Sequence, residues 1–268
     1  MGVKVVNTTI EYRVKMKIII LILLILLVIA IPSIAQQYLL AGFGVNALLI
    51  NSDDLDQFTS TYNAVNQSSL SGPFKGLNDA FGIGFNGGYL YLGKYSAAAF
   101  LGYQTFNEKT VAQYANGESR KLELKINHFY LEGQFGRTWD NLFLNGVAII
   151  YIDRQLSLES SYLAVQPTPK SLDGTYSASN PVSIDLGLAF GLHRKPLLLV
   201  GRISYPVYTT TDPDVLTDSN PSKVADNTHI FPDDYFAYDV NEPYDGVSGK
   251  INGLKISISA YFALKFRD

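Results

Sequence analysis

Cysteine is absent from the chain, which excludes disulfides, thiolate metal sites and a lipid-bearing N-terminal cysteine. Charge is scarce: Asp, Glu, Lys and Arg together make up 17 % of 268 residues, too little to coat long solvent-facing helices. The formal charge of −3 gives no reason to expect a nucleic-acid partner. Histidine occurs three times, as His128, His193 and His229, and none is followed by serine one or two residues on. That removes a local His–Ser pair for acyl-transfer chemistry. A Gly-x-Ser-x-Gly elbow, a metal-binding helix and a phosphate loop are missing as well, so no catalytic residue, cofactor or metal is expected.

Long apolar runs are missing too, with one exception. From Met16 the chain reads MKIIILILLILLVIAIPSIAQQ, a Met-Lys start followed by apolar residues from Ile18 to Ile31 and then Pro32-Ser33-Ile34-Ala35. This three-part layout predicts a secretory signal peptide over residues 16–35, cleaved after Ala35. The rival is a retained transmembrane helix, but the run falls short of the roughly 20 residues that spanning requires. Residues 1–15 fit neither scheme and read as a non-native extension ahead of a natural start at Met16. Removing residues 1–35 takes the charge further negative, and residues 36–268 form the remaining unit.

What the chain has in quantity is tyrosine (18), phenylalanine (15) and glycine (22), nearly all of it in that unit. Eight segments carry strand character: Tyr38–Ile50, Phe81–Leu92, Tyr95–Phe106, Glu118–Gly136, Leu142–Ser160, Val182–Leu192, Leu197–Tyr208 and Leu254–Phe266. The gaps alternate, long at 51–80, 107–117, 161–181 and 209–253 and tight at GK, RTWDN and HRKP. Such alternation predicts an up-and-down meander with its long loops at one end. A ten-strand count is the alternative, with THIF and YFAYDV as an extra hairpin.

Period-two patterning then decides the orientation. In LKISISAYFALKF, Leu254, Ile256, Ile258, Phe262, Leu264 and Phe266 share one face, and Lys255, Ser257, Ser259 and Tyr261 share the other. Val182, Ile184, Leu186, Leu188, Phe190 and Leu192 likewise oppose Ser183, Asp185, Gly187, Ala189 and Gly191. Turned inward, the apolar faces would leave an outside of Gly, Ala and Ser, a poor solvent surface. Turned outward, they form a lipid belt around a narrow lumen of small residues. The expected fold is therefore all-β, an eight-stranded antiparallel transmembrane barrel with short periplasmic turns and long extracellular loops. A soluble lipocalin-like barrel is the competing architecture.

Within that barrel Glu132, Asp153, Asp185, Arg202 and Lys255, with Lys125, are expected to form a paired lumen charge network, structural or gating. Pairing about HRKP would set Asp185 opposite Ser204 and diagonal to Arg202. Tyr89, Tyr91, Tyr95, Trp139 and Phe266 near the periplasmic ends, with Tyr205 and Tyr208 at the other rim, are expected to form aromatic girdles. A parity change after Ile126 predicts a bulge near Asn127–His128 that keeps Leu122, Leu124 and Ile126 facing outward. The far part of that long hairpin should rise above the membrane. Ser52 predicts an N-cap, followed by a short rim helix with Leu55, Phe58, Tyr62 and Val65 on one stripe. The acidic, aromatic-bearing last loop, which includes His229, is expected to be a solvated surface or a cover over the barrel mouth.

These features resemble the small bacterial outer-membrane β-barrels, of which the OmpA transmembrane domain, OmpX and OmpW are members. The likeness rests on the signal peptide, the eight alternating strands and the ending YFALKF; the SIAQQ junction resembles secreted proteins of the Bacteroidetes group. The family closes on a C-terminal aromatic read by the barrel insertion machinery, whereas here Phe266 precedes Arg267 and Asp268. The resemblance implies an outer-membrane, non-enzymatic barrel. Its partners would be lipid, the insertion machinery and a possible extracellular ligand or protein reached through the loops. A narrow solute channel and a lipid-modifying enzyme are the alternatives.

Overall fold

The structure, a computed structural model, describes residues 36–164, 173–209, 216–218 and 251–267, with side chains left aside at 179–181 and 266–267. The expected signal peptide, the extension before it, His229, most of the last loop and its possible extra hairpin lie outside the described residues.

Eight strands pair antiparallel into a closed ring: β1 (Gln36–Asn51), β3 (Asp79–Leu92), β4 (Tyr95–Tyr114), β5 (Ser119–Trp139), β6 (Leu142–Leu163), β7 (Gly174–Arg194), β8 (Leu197–Thr209) and β10 (Asn252–Arg267). The last strand returns to the first, with Phe43 opposite Ala260 and Val45 opposite Ile258. Closure leaves each of these strands two neighbours, so the ring has no open edge to solvate. Two short strands lie off it: β2 (Leu70–Gly72) beside β4, and β9 (Thr217–Asp218) beside β7.

Gly93–Lys94, Asp140–Asn141 and Lys195–Pro196 make the two-residue turns at one end. Asp140 takes φ 51°, in the left-handed region that Asp tolerates better than most side chains. The gap expected at 107–117 is shorter than its sequence suggested. Strand β4 runs on to Tyr114 and leaves only residues 115–118 as a turn.

The oily face does look outward. Phe43 is 63 % exposed and Ile258 61 %, while Ser257, Ser259, Asp185 and Arg202 are buried. The belt also includes Phe81, Ile83 and Phe85 on β3 and Leu186, Leu188 and Phe190 on β7. Strands β4 to β7 extend well past it, at 20 to 22 residues against 13 to 16 for the others.

In that extension the sidedness inverts. Leu122, Leu124 and Ile126 are buried inside, contrary to the outward placement expected of them. Strand β5 keeps even residues inward throughout; the sequence itself changes which face is apolar. The extra residue sits instead on β6, where Asp153 at φ 55° and Arg154 together oppose His128. The bulge lets the even-numbered apolar series, interrupted only at Arg154, change sides, so that Leu144 and Ile152 face outward and Leu156 and Leu158 inward.

The inward apolar surface is covered by helix α1 (Asp53–Val65). Ser52 is its N-cap, its Oγ accepting from the Leu55 amide at 3.4 Å, and three aspartates occupy the first turn where the helix dipole favours them. Leu55, Phe58 and Tyr62 pack against Leu122, Leu124, Leu156, Leu158 and Tyr176. Val65 does not join this stripe and stays exposed.

The lumen is not filled by small residues alone. Inward glycines make room for inward aromatics: a Cβ on Gly102 would overlap the Tyr130 ring, and one on Gly42 would come within 2.7 Å of the Tyr261 ring. Outward Gly133 has open space beside it. Gly102→Ala should therefore lower the unfolding free energy by about 1–3 kcal/mol through overpacking. Gly133→Ala should change it by less than about 0.5 kcal/mol. Urea titrations of the folded barrel in lipid vesicles would measure both.

Candidate functional site

Alternation along the ring delivers polar side chains to the lumen in layers. Near its middle Arg202 Nε donates to Glu132 Oε1 at 2.7 Å, its Nη1 donates to Ser259 Oγ at 3.0 Å and its Nη2 donates to the Tyr261 hydroxyl. The guanidinium lies 5.2 Å from the Phe100 ring centroid, adding a cation–π contact. Glu132 also accepts from Gln134, Gln134 from Asn145 at 3.1 Å, and Asn145 from Ser96. One hydrogen-bonded layer thus draws on β4, β5, β6, β8 and β10.

The next layer toward the loops is built on Asp185, which accepts from Lys255 Nζ at 2.9 Å and Ser204 Oγ at 3.4 Å. The same ammonium sits 3.8 Å from the Tyr151 centroid. His128 packs edge-on to Tyr151 at 4.3 Å and shares a 3.1 Å hydrogen bond with Gln104, which donates to Asn46. Arg154 follows, donating to Asn252 and to the Ile251 carbonyl. Beyond it the interior turns apolar beneath α1.

Four of the expected charges, Glu132, Asp185, Arg202 and Lys255, are thus inside, but Asp185 does not take the expected place beside Arg202. Asp185 stands opposite Pro206, because the turn is only Lys195–Pro196 and Arg194 already pairs with Leu197, and its cation is Lys255 rather than Arg202. Asp153 is exposed on the bulge, and the inward position belongs to Arg154. Lys125 points outward, 3.2 Å from Glu123 and 3.8 Å from Glu159. Arg154, His128, Tyr130 and Tyr151 escaped the sequence reading as lumen residues, whereas Tyr261 lies on the inward face read for β10. The adjacent Asp153-Arg154 pair, followed by Leu156 and Leu158 on unchanged parity, was the available signal of a side change.

Of the expected girdle residues, Tyr95 is exposed and stacks on Phe135 at 6.1 Å, and Trp139 is exposed beneath the Arg137 guanidinium at 5.8 Å. Tyr89 and Tyr91 are half-buried on the outer parity of β3, and Tyr205 and Tyr208 are exposed toward the loop end. The Phe266 side chain lies outside the described residues.

On the outer face of the extension, Glu123 is ringed by Lys121 Nζ at 2.6 Å, Lys125 Nζ at 3.2 Å, Lys109 Nζ at 3.4 Å and Asn107 Nδ2 at 3.1 Å. The hydrogen bond from Lys121, reinforced by the other donors, holds its carboxyl down at about 2. A carboxylate depressed in the folded state stabilises above its ordinary value of 4.5 and loses that contribution as pH falls toward 2. Wild-type urea midpoints should drop through this window, and Glu123→Gln should remove part of the drop.

At the turn end a bowl of about 570 Å³ opens among the three tight turns, with His193 in its wall. The His193 ring lies 4.6 Å edge-on from Tyr38. Among the described residues no group of three or more His, Asp or Glu is placed to hold a metal ion.

No protein-family model and no curated protein sequence matches the chain. Solved structures similar in shape include two outer-membrane proteins. One is Ail, the attachment invasion locus protein of Yersinia pestis, solved with the heparin analogue sucrose octasulfate. It is 7 % identical at a TM-score of 0.40, covering 86 % of this chain and 99 % of Ail. The other is the outer membrane protease OmpT of Escherichia coli, 11 % identical at a TM-score of 0.35, covering 87 % of this chain and 96 % of OmpT.

Proposed function

We propose that the chain is a non-enzymatic integral outer-membrane β-barrel with a sealed lumen, which carries a rigid sheet and its loops above the membrane to meet a partner or ligand. One observation supports this above others: the apolar face is outward along the turn-end half and inward in the extension beyond Asp153. Hydrocarbon around the first half and water around the second accounts for that inversion. The belt strands present about the 9–11 residues that a tilted strand needs to cross a bilayer.

Sealing follows from the lumen layers. Arg202–Glu132 and Lys255–Asp185 are each buried and bonded to neighbouring strands, and α1 covers the loop-end mouth. A buried charge pair held this way is costly to separate, so it acts as a fixed plug. The work then falls to the outer end, where Lys109, Lys121, Lys125 and Glu159 face outward on a sheet stiffened by the core beneath it.

Two measurements test the reading. The protein should stay in the membrane fraction after alkaline extraction and show heat-modifiable gel mobility; recovery of folded protein in the aqueous supernatant would end the membrane assignment. In planar bilayers it should give no discrete openings. Steady conductance that disappears on substituting Arg202 or Asp185 would replace the sealed plug with a channel.

A further inference from the structure

The turn-end bowl takes no part in the plug. Its rim comes from the β3–β4, β5–β6 and β7–β8 turns and from Gln36 at the start of β1, so it surrounds the barrel axis rather than facing the outer belt. About 570 Å³ lies within the range of small-molecule sites.

Charge is divided across the mouth. Arg194 and Lys195 lie on one turn and Asp140 on another, with the side-chain amide of Asn141 beside it. Two polar wall groups are already desolvated: His193 is 5 % exposed and its Nε2 has no hydrogen-bond partner, nor does the buried Thr138 Oγ1. Both atoms are closed to the bowl's solvent, so ligand contacts go to the exposed charges and to the Asn141 amide.

We propose that this bowl binds short peptides with free ends. The carboxylate would go to Arg194 and Lys195, the ammonium to Asp140, and the peptide amides to the uncharged wall. Guanidinium and ammonium groups suit the carboxylate, and Asp140 explains why a simple anion is a poorer fit. Exposed charge pairs contribute little each, so affinity sits near the millimolar range. This inference does not depend on the membrane reading, because the bowl is formed by the turns of the folded ring.

The test uses the isotope-labelled full barrel in detergent micelles, titrated with trialanine and followed by the amide signals of Thr138, Asn141 and His193. Saturable shifts with a Kd of about 1 mM are expected. Amidating the peptide's C-terminus should weaken binding about three- to fivefold, and in R194A/K195A the free acid and the amide should bind alike. Acetylating its N-terminus should weaken binding similarly, and D140N should erase that difference. All three positions are exposed, at or beside the turns, and heat-modifiable mobility confirms that each variant is folded. Absence of saturation by about 20 mM trialanine, or equal binding of a doubly blocked peptide, would overturn the proposal. Tighter binding of phosphoethanolamine than of trialanine would also overturn it, by assigning the bowl to a lipid headgroup.

Discussion

Replacing Arg202 with methionine is expected to lower the unfolding free energy by about 3–5 kcal/mol. Methionine fills much of the arginine's volume and keeps an apolar contact with Phe100, so the loss is electrostatic rather than a cavity effect. Glu132 would remain buried with only Gln134 as its partner, a carboxylate stripped of its cation in a low-dielectric interior. Ser259 and Tyr261 would lose the guanidinium as well. The double variant E132Q/R202M removes both charges and should recover most of the loss, since the penalty belongs to the orphaned charge and not to the missing pair. Urea unfolding in vesicles, read by tryptophan fluorescence, gives both numbers. A single-variant cost below about 1 kcal/mol would mean that water reaches Glu132, and the sealed lumen would go with it.

The second large effect concerns the outside. Leu188 stands 54 % exposed in the middle of the β7 belt, and Leu188→Arg should cost about 2–4 kcal/mol in a bilayer, because lipid cannot solvate the guanidinium. Gln155 is outward too, but beyond the bulge, and Gln155→Arg should be nearly neutral. In a soluble barrel both would be surface changes of similar, small effect. The contrast therefore measures the membrane boundary itself, and equal costs at the two sites would remove it.

Much of this arrangement is legible in the sequence, and the misses share one cause. Period-two alternation is a local property, so the outward apolar faces of β1, β7 and β10 and the inward parity of Asp185, Arg202 and Lys255 can be read strand by strand. The three tight turns and the Ser52-capped helix are local as well. Leu122, Leu124 and Ile126 misled because alternation says which residues share a face, not what that face meets. Their face meets α1, which arrives from a distant part of the chain. Asp153 misled because one bulged residue exchanges inside for outside, leaving Arg154 where the carboxylate was expected.

Partner choice lies beyond any strand taken singly. Asp185 bonds Lys255 from β10, and Arg202 bonds Glu132 from β5, contacts that exist only once the ring has closed and each register is set. The sequence by itself determined the alternating strands, which residues of each share a face, and where the tight turns and the short helix fall, because all of these depend on neighbours a few residues away. Only the tertiary structure decided which charges meet, where the apolar side changes from outside to inside, and that aromatic rings fill the lumen over its glycines. Those outcomes depend on distances across the barrel, which no local pattern records.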